Sequence, residues 1–504
     1  MTPTNSTVLP RFSYRPHPNL YQINTWVWLQ ELSCRHGRRL RLADVPDPEW
    51  DNLAALGFDF VYLMGVWRRS AVGRRISRTS GTSFAEFDRA LSGWTMADVA
   101  GSPYSIQDYA LDPHLGSPGD LEAVHRKLRA RGMGLILDFV PNHTGFDHPY
   151  IEQHPDYYIQ GTQDDFRRDP GAFYLVERGE ESCFVACGKD PHFAPWTDVA
   201  QLNHFNPGCR EALIGILKSI SRLCDGVRCD MAMLVSNEVF SRTWGHLLQR
   251  WPEPQTEFWS DAIAAVPDLI WMAEVYWDLE WKMQQLGFQF TYDKRLYDRL
   301  AGSSPAEVRR HLSAEIGFQN RLVRFLENHD ELRCSAVFPR ERVPSLALLI
   351  STLPGMHFFH HGQLEGARIH VPMPLGRATA EPADQGLRQA YEKVLRIASA
   401  DAFHRGQWQV LEVCPAGDET FADLLAYRWQ LGNDCKLIVI NLSGRTAQGR
   451  VQNAEPSGEL PTCSYRDELD GQCYAWDRTA VVPQGLYVKL GPYQAHAFTI
   501  SAQR

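Results

Sequence analysis

No run of apolar residues in this 504-residue chain reaches the roughly 18 needed to cross a bilayer. The opening stretch, MTPTNSTVLPRFSYRPHPNL, lacks the apolar centre of a secretion signal. A membrane partner is therefore not expected. Positive charge is also in short supply. Acidic residues outnumber basic ones by 60 to 51, giving a net charge of −9, whereas a nucleic-acid backbone needs a basic face. Nucleic acid is thus not an expected partner either. Cysteine is sparse, at 11, odd in number and scattered. The closest pairs, Cys183 with Cys187 and Cys224 with Cys229, fit no C-x-x-C…C-x-x-C zinc pattern. Free thiols in a reducing cytoplasm are the expectation. Internal repeats and low-complexity segments are missing. At 44% hydrophobic and 22% charged, the composition excludes a disordered chain, a collagen-like chain and a small disulfide scaffold. Aromatic rings are plentiful, with 15 Trp and 18 Tyr. Core packing accounts for most of them, and the same flat faces suit sugar rings.

The first 400 residues alternate short apolar runs with amphipathic stretches. Residues 21–29 read as a strand, 46–56 as a helix and 58–64 as a strand. A helix over 121–131 is closed by Gly132, and a buried strand follows at 135–140. A helix at 211–223 leads into a strand at 226–230. Further strands fall at 269–275, 322–326 and 357–360, with a sixth in barrel order near 287–291. Repeated strand–helix units imply a parallel sheet, and eight would close a barrel. Between the strand ending at Val140 and the helix near Pro207 lies a long connection rich in Asp, Pro, Gly and aromatics. Such insertions in compact domains are usually functional. After residue 400 the pattern becomes strand-like: 421–430, 436–443, then 474–476, 486–490 and 495–500, with a turn signal at Gly432-Asn433-Asp434.

Four segments sit at the C-terminal ends of expected strands. They are Asp138-Phe139-Val140-Pro141-Asn142-His143, Gly226-Val227-Arg228-Cys229-Asp230, Ala273-Glu274-Val275 and Glu327-Asn328-His329-Asp330. Strand alternation puts Arg228 and Asp230 on one side and turns Cys229 away. The cation beside Asp230 would keep it ionised, which suits a nucleophile. Glu274 follows an apolar run, and apolar packing would raise its pKa, which suits a general acid. Asp330 is a third carboxylate. His143 and His329 supply donors to sugar hydroxyls. Two carboxyls about 5–5.5 Å apart serve retaining glycoside cleavage, one attacking the anomeric carbon while the other protonates the leaving oxygen.

These segments resemble the four motif regions of the α-amylase superfamily, glycoside hydrolase family 13, in order and on the corresponding strands. Tyr104, in Ser102-Pro103-Tyr104-Ser105-Ile106-Gln107-Asp108-Tyr109, is similar to the tyrosine that stacks on the sugar at the cleaved side. Leu353-Pro354-Gly355-Met356 resembles the approach to the eighth strand. The resemblance implies a (β/α)8 TIM barrel with a B domain inserted after strand 3 and a C-terminal antiparallel β-sandwich. The implied boundaries are 1–143 and 206–400 for the barrel, 144–205 for the insertion and 401–504 for the sandwich. It implies Asp230 as nucleophile, Glu274 as general acid/base and Asp330 as transition-state stabiliser. Arg228 would orient the nucleophile, His143 and His329 would bind sugar, and Asp138 would steady Arg228. Asn142 matches a position that binds calcium in many members, so calcium is a candidate ligand although no cofactor is required. The implied substrate is an α-glucoside or oligosaccharide, cleaved with retention of configuration.

The chain also departs from the family. After Asp230 come Met231-Ala232-Met233-Leu234, with no histidine where leaving-group sugar is often held. Gln201, in Ala200-Gln201-Leu202-Asn203, stands where an aspartate is frequent. Ser105 follows the stacking tyrosine where exo-acting members often have Asp. These changes turn attention to the acceptor. A transglycosylase, phosphorylase or sugar isomerase of the same family is one alternative, and a catalytically inactive carbohydrate-binding protein is the other. Asn142 reads equally as a turn cap, and Tyr276 and Trp277 read equally as sugar platforms or packing residues. His357, His360 and His361 read as a strand end without metal. Met231, Met233 and Cys229 read as packing residues.

Overall fold

The computed structural model describes residues 12–503 apart from 179–180, 249, 455–461 and 478–483. Eight parallel strands close into a barrel. They are β1 (Asn19–Asn24), β2 (Phe60–Met64), β3 (Gly134–Phe139), β4 (Gly226–Cys229), β5 (Ile270–Ala273), β6 (Phe290–Tyr292), β7 (Leu322–Arg324) and β8 (Met356–His360). Each pairs with its sequence neighbours, and β8 returns to β1 with Asn19 opposite His357. Helices cover the outside and side chains fill the inside, so the strands are buried on both faces. That is why β3 reads Gly-Leu-Ile-Leu-Asp-Phe, nearly all apolar, rather than alternating. Polar residues in such strands, among them Gln22, Asp138 and Arg228, are buried and stand out from the apolar runs.

Local signals set the element ends. The expected strand over 21–29 stops at Asn24, and a helix runs over Thr25–His36 instead. The Asn24 side chain accepts from the Val27 N–H at 3.4 Å, an N-cap that redirects an apolar run from strand to helix. Apolar content alone does not separate the two. The helix before β3, Pro118–Arg129, begins on proline, and Gly132 in the left-handed region (φ 75°) turns the chain into the strand.

Two long excursions leave the C-terminal end of the barrel. The expected one follows β3. Its strands His143–Thr144, Trp196–Gln201, Glu181–Gly188 and Gln160–Gly161 form one sheet, with Phe173–Arg178 paired to Glu181–Gly188. The other follows β2 and was not apparent in the sequence. It carries a two-stranded sheet, Trp67–Arg69 with Ile106–Leu111, and helices Ala71–Thr79 and Gly81–Ala90. Both helices are short, nine and ten residues, and the second packs Phe84, Phe87 and Ala90 into a small satellite core away from the barrel.

Beyond residue 400 two antiparallel sheets face each other. Gln407–Leu411, Leu424–Leu431, Asp434–Asn441, Ala495–Gln503, Thr462–Asp467 and Cys473–Asp477 form one. Val413–Cys414, Ala447–Val451 and Leu486–Leu490 form the other. Leu424, Leu437, Val439, Val451, Leu486 and Val488 share the core between them. The sandwich docks on the barrel where Trp429 donates its indole N–H to the Thr352 carbonyl at 2.7 Å and Tyr427 meets the Thr352 hydroxyl at 2.6 Å.

Candidate active site

Arg228 is the centre of the site. It lies on β4 opposite Asp138 of β3 and Met272 of β5, with side chain 1% exposed. Its Nη1 is 2.7 Å from Asp230 Oδ1 and its Nη2 is 2.7 Å from Glu274 Oε2. One guanidinium therefore bridges the carboxylates at the ends of β4 and β5. Asp138 Oδ1 lies farther off, 3.7 Å from Nη1. Asp138 is held instead by Tyr62, whose hydroxyl donates to it in a short hydrogen bond, and by the Gly65 N–H at 2.7 Å. Gly65 has φ 73°, and a Cβ there would come within 2.7 Å of Pro103, next to Tyr104. The close approach of these loops needs glycine.

Asp330 stands across the mouth, on the loop after β7. Asn328 Oδ1 accepts from the N–H groups of Asp330 and Glu331, both at 2.9 Å, a local turn that presents the aspartate. Its side chain keeps 31% exposure, the most open of the three carboxylates. His329 Nε2 is 3.1 Å from Asp330 Oδ2 and 2.6 Å from the Tyr104 hydroxyl. Gln22 Nε2 donates to His329 Nδ1 at 2.8 Å, which leaves the proton on Nε2, facing the site. The Tyr104 ring lies 5.0 Å from the Arg228 guanidinium carbon. Thus Asp230, Glu274, Asp330, Arg228, Asp138, Tyr104 and His329 come together at one end of the barrel. His143 begins the inserted sheet beside them, buried, its ring edge-on to Trp196 at 5.4 Å.

The electrostatics differ from the expectation built on strand spacing. Burial raises the pKa of the Asp230 carboxyl; Arg228 pulls it down and the Glu274 charge pushes it up. Glu274 does not sit in apolar surroundings. It accepts from Arg228, from the Met231 N–H at 2.7 Å and from the Tyr276 hydroxyl at 2.8 Å. The correction has a simple cause. An inward-facing arginine on β4 reaches both flanking strands, and alternation along one strand does not say which carboxylates it meets. At Asp230 burial therefore works against the charged form, while the Arg228 guanidinium favours it.

Burial also acts on histidines at the two ends of the inserted segment. It pushes the His143 imidazole down to about 3 and His204, bonded to the Pro141 carbonyl at 2.8 Å, down to about 4. Both are neutral when folded. An unfolded chain takes up their protons below about pH 6.5, so stability is full above that pH and is lost as pH falls toward 4. Each group contributes a slope of about 1.4 kcal/mol per pH unit in that window. Denaturant midpoints measured from pH 7.5 to 4.5 are expected to fall, and His204→Asn is expected to flatten the fall. An unchanged slope in that variant would remove His204 from the account.

Asn142, the candidate calcium position, is paired with Gln201. Gln201 Nε2 donates to the Asn142 backbone carbonyl at 2.9 Å and to Asn142 Oδ1 at 3.0 Å, while Asn142 Nδ2 donates to Gln201 Oε1 at 3.2 Å. A neutral amide pair occupies the oxygens that would face an ion. Calcium needs six to eight oxygen ligands, usually including carboxylates. Among the described residues no group of three or more His, Cys, Asp or Glu is arranged to hold a metal. His357 is instead bonded to Asn19 Oδ1 and the Leu353 carbonyl, at 2.8 and 2.7 Å, as a core histidine. Cys229 is fully buried.

Several contributors were not singled out from the sequence. Tyr62 and Gln22 hold Asp138 and His329, and Trp196 backs His143. A polar Gln22 inside an apolar barrel strand was a signal, since a buried amide needs a partner, here His329. Tyr62 and Trp196 gave none. Tyr276, left open between sugar platform and packing, bonds to Glu274.

Comparison with known proteins agrees with this geometry. The family model described as Alpha amylase, catalytic domain, matches residues 50–409. Alpha-amylase 3 of Dictyoglomus thermophilum is 26% identical over 446 residues, covering 77% of this chain and 81% of that protein. Among solved structures, the maltogenic alpha-amylase AmyB from Thermotoga neapolitana superposes with a TM-score of 0.69 at 18% identity, covering 97% of this chain and 99% of the other. The alpha-amylase of Geobacillus thermoleovorans gives 0.66 at 18% identity, with the same coverage. The match to more than half the chain, on a closed barrel carrying these carboxylates at its C-terminal end, makes this protein a member of the α-amylase family of glycoside hydrolases.

Proposed function

We propose that the enzyme cleaves α-glucosidic bonds of α-glucans or malto-oligosaccharides by double displacement, with retention of configuration. The observation that carries this reading is the single Arg228 guanidinium holding Asp230 and Glu274 at 2.7 Å each, at the rim where the strands end. Two carboxyls kept close by one cation suit a retaining pair, whereas inverting enzymes need room for a water between theirs. Asp230 attacks the anomeric carbon while Glu274 gives its proton to the leaving oxygen. A glycosyl ester forms on Asp230. Glu274, now a carboxylate, takes a proton from the incoming water or sugar, which displaces Asp230 from the opposite side. Asp330, with the His329 Nε2–H, restrains the sugar hydroxyls as positive charge builds on the ring. The barrel, 1–143 with 206–400, supplies the carboxylates, and the inserted segment 144–205 walls one side of the cleft.

Product analysis tests this directly. The panel is maltotetraose, isomaltose, sucrose, trehalose and glycogen, with and without added acceptor sugars. Shorter sugars of α configuration from a 1,4-linked substrate are expected. Acceptor-dependent products alone would replace hydrolysis by transfer. Equal binding without turnover by wild type and Asp230→Asn would make the protein a carbohydrate-binding one.

The Asn142–Gln201 pair supports a calcium-independent enzyme. A chelator is expected to leave both activity and melting temperature unchanged, and a drop in either on chelation, reversed by calcium, would overturn that. Thiols such as those of Cys187, Cys209, Cys229 and Cys334, buried and outside any disulfide, support a cytoplasmic setting.

A further inference from the structure

A second cavity, of about 730 Å³, lies on the same end of the barrel between the connections that follow β1, β2 and β8. None of the catalytic carboxylates lines it. Its wall holds five arginines, Arg39, Arg68, Arg69, Arg74 and Arg377, against two aspartates, Asp98 and Asp112. In a chain of net charge −9 this is a strong local reversal of sign.

The pairing of these groups is uneven. Arg377 is clamped by Asp98 at 2.8 and 3.1 Å, and Arg68 by Asp108 at 2.6 Å. Arg39, Arg69 and Arg74 have no carboxylate within ion-pair distance among the described residues. They are held by neutral oxygens: Arg39 by the His114 carbonyl at 3.1 Å, Arg69 by the Gly101 carbonyl at 2.6 Å and Arg74 by the Ala100 carbonyl at 2.8 Å. Asp112 is taken up by the backbone N–H groups of Arg69 and His114, at 3.2 and 2.8 Å. Arg69 is 3% exposed, and the Nε–H groups of Arg68 and Arg69 are buried without a hydrogen-bond partner. Its guanidinium carbon sits 4.5 Å from the Trp26 ring centre, and Trp26 stacks on His114 at 4.0 Å and 2°. Burial lowers the Arg69 pKa to about 10, with Asp112 opposing and the Arg74 charge adding to the fall. Like charges gathered in a partly desolvated cavity, with donors unfilled, are stabilised by an anion.

We infer that this cavity is a binding site for a phosphoryl group, carried by a sugar phosphate or taken as free phosphate. Guanidinium forks match the tetrahedral oxyanion, and three arginines outside any ion pair, set against Asp112 alone, leave a surplus of two charges that suits a dianion better than a single carboxylate. The volume is large enough for a phosphorylated sugar as well as the bare ion. The site is independent of the glycosidase chemistry, so it can fail while that reading stands.

Isothermal titration of the full-length protein with inorganic phosphate, glucose 6-phosphate and uncharged glucose, at constant ionic strength, tests it. Both phosphates are expected to bind and glucose is not. R39Q/R74Q, two partly exposed positions outside the catalytic set, is expected to weaken phosphate binding at least tenfold while circular dichroism and glycoside cleavage stay as in wild type. Glucose 6-phosphate binding tenfold or more tightly than phosphate identifies a sugar phosphate, and equal affinity identifies the free ion. No binding of either, or binding that R39Q/R74Q leaves intact, would overturn the site.

Discussion

Asp230→Asn is expected to lower kcat by about 10⁴-fold on any substrate the wild type cleaves, because it removes the covalent step while leaving the amide in the carboxylate's place. Substrate binding should change little. The more telling comparison pairs truncated variants with azide as an external nucleophile. Asp230→Gly opens the face that attacks, so azide enters there once and gives a β-glycosyl azide. Glu274→Gly leaves Asp230 to form the ester, and azide then displaces it to give an α-glycosyl azide. The two variants thus yield opposite anomers from one activated α-glycosyl fluoride. The same anomer from both would sink the assignment of roles. Asp330→Asn should also lose activity, yet release neither product on addition of azide, since it neither attacks nor transfers a proton.

Arg228→Met carries the largest expected effect on folding. The side chain is 1% exposed and faces Asp138, Asp230 and Glu274. Removing it leaves buried carboxylates without their cation, a loss of about 3–5 kcal/mol by analogy with other broken buried pairs. Urea denaturation at pH 7 should show this as a lower midpoint with an unchanged slope. The sign of the pH dependence follows. Without the cation, burial alone acts on Asp138 and Asp230 and raises their folded pKa values above the unfolded ones, so they take up protons on folding. The penalty therefore shrinks as pH falls. Arg228→Met with Asp138→Asn should recover part of the loss at pH 7, because one orphaned charge is gone. A midpoint for Arg228→Met equal to wild type would mean that the carboxylates are neutral in the folded protein at that pH. Arg228→Lys should not restore activity, since one ammonium does not reproduce a fork that meets two carboxylates from two nitrogens.

Much of the barrel was legible because a strand buried on both faces is written as an apolar run, and seven of the eight runs stand out from amphipathic neighbours. The weak one, β6, is Phe290–Tyr292; β7 is equally short, but Phe325 and Leu326 prolong its apolar run, whereas polar Asp293 and Lys294 follow β6 at once. The helices after β2, Ala71–Thr79 and Gly81–Ala90, escaped notice: each is short, and the apolar residues of the second serve a satellite cluster around Phe87 rather than the barrel core. The strand Gln407–Leu411 was hidden by an alternation that leaves half of it exposed. Resemblance to known motifs pointed to the carboxylates, but their partners came from elsewhere: Tyr62 and Gln22 lie 76 and 307 residues from the groups they bond.

The sequence by itself determined that the chain alternates strands and helices, that its four polar strand ends hold Asp230, Glu274 and Asp330 with an arginine and two histidines, and that a long segment departs after β3. These follow from local rules of burial and strand alternation, which act over a few residues. Only the tertiary structure decided that Arg228 serves both Asp230 and Glu274, that Glu274 is ringed by donors, that Gln201 fills the oxygens of Asn142, and that arginines from distant loops converge on one cavity. Each depends on which side chains meet across the closed barrel, a distance set by closure and loop packing that spacing along the chain does not encode.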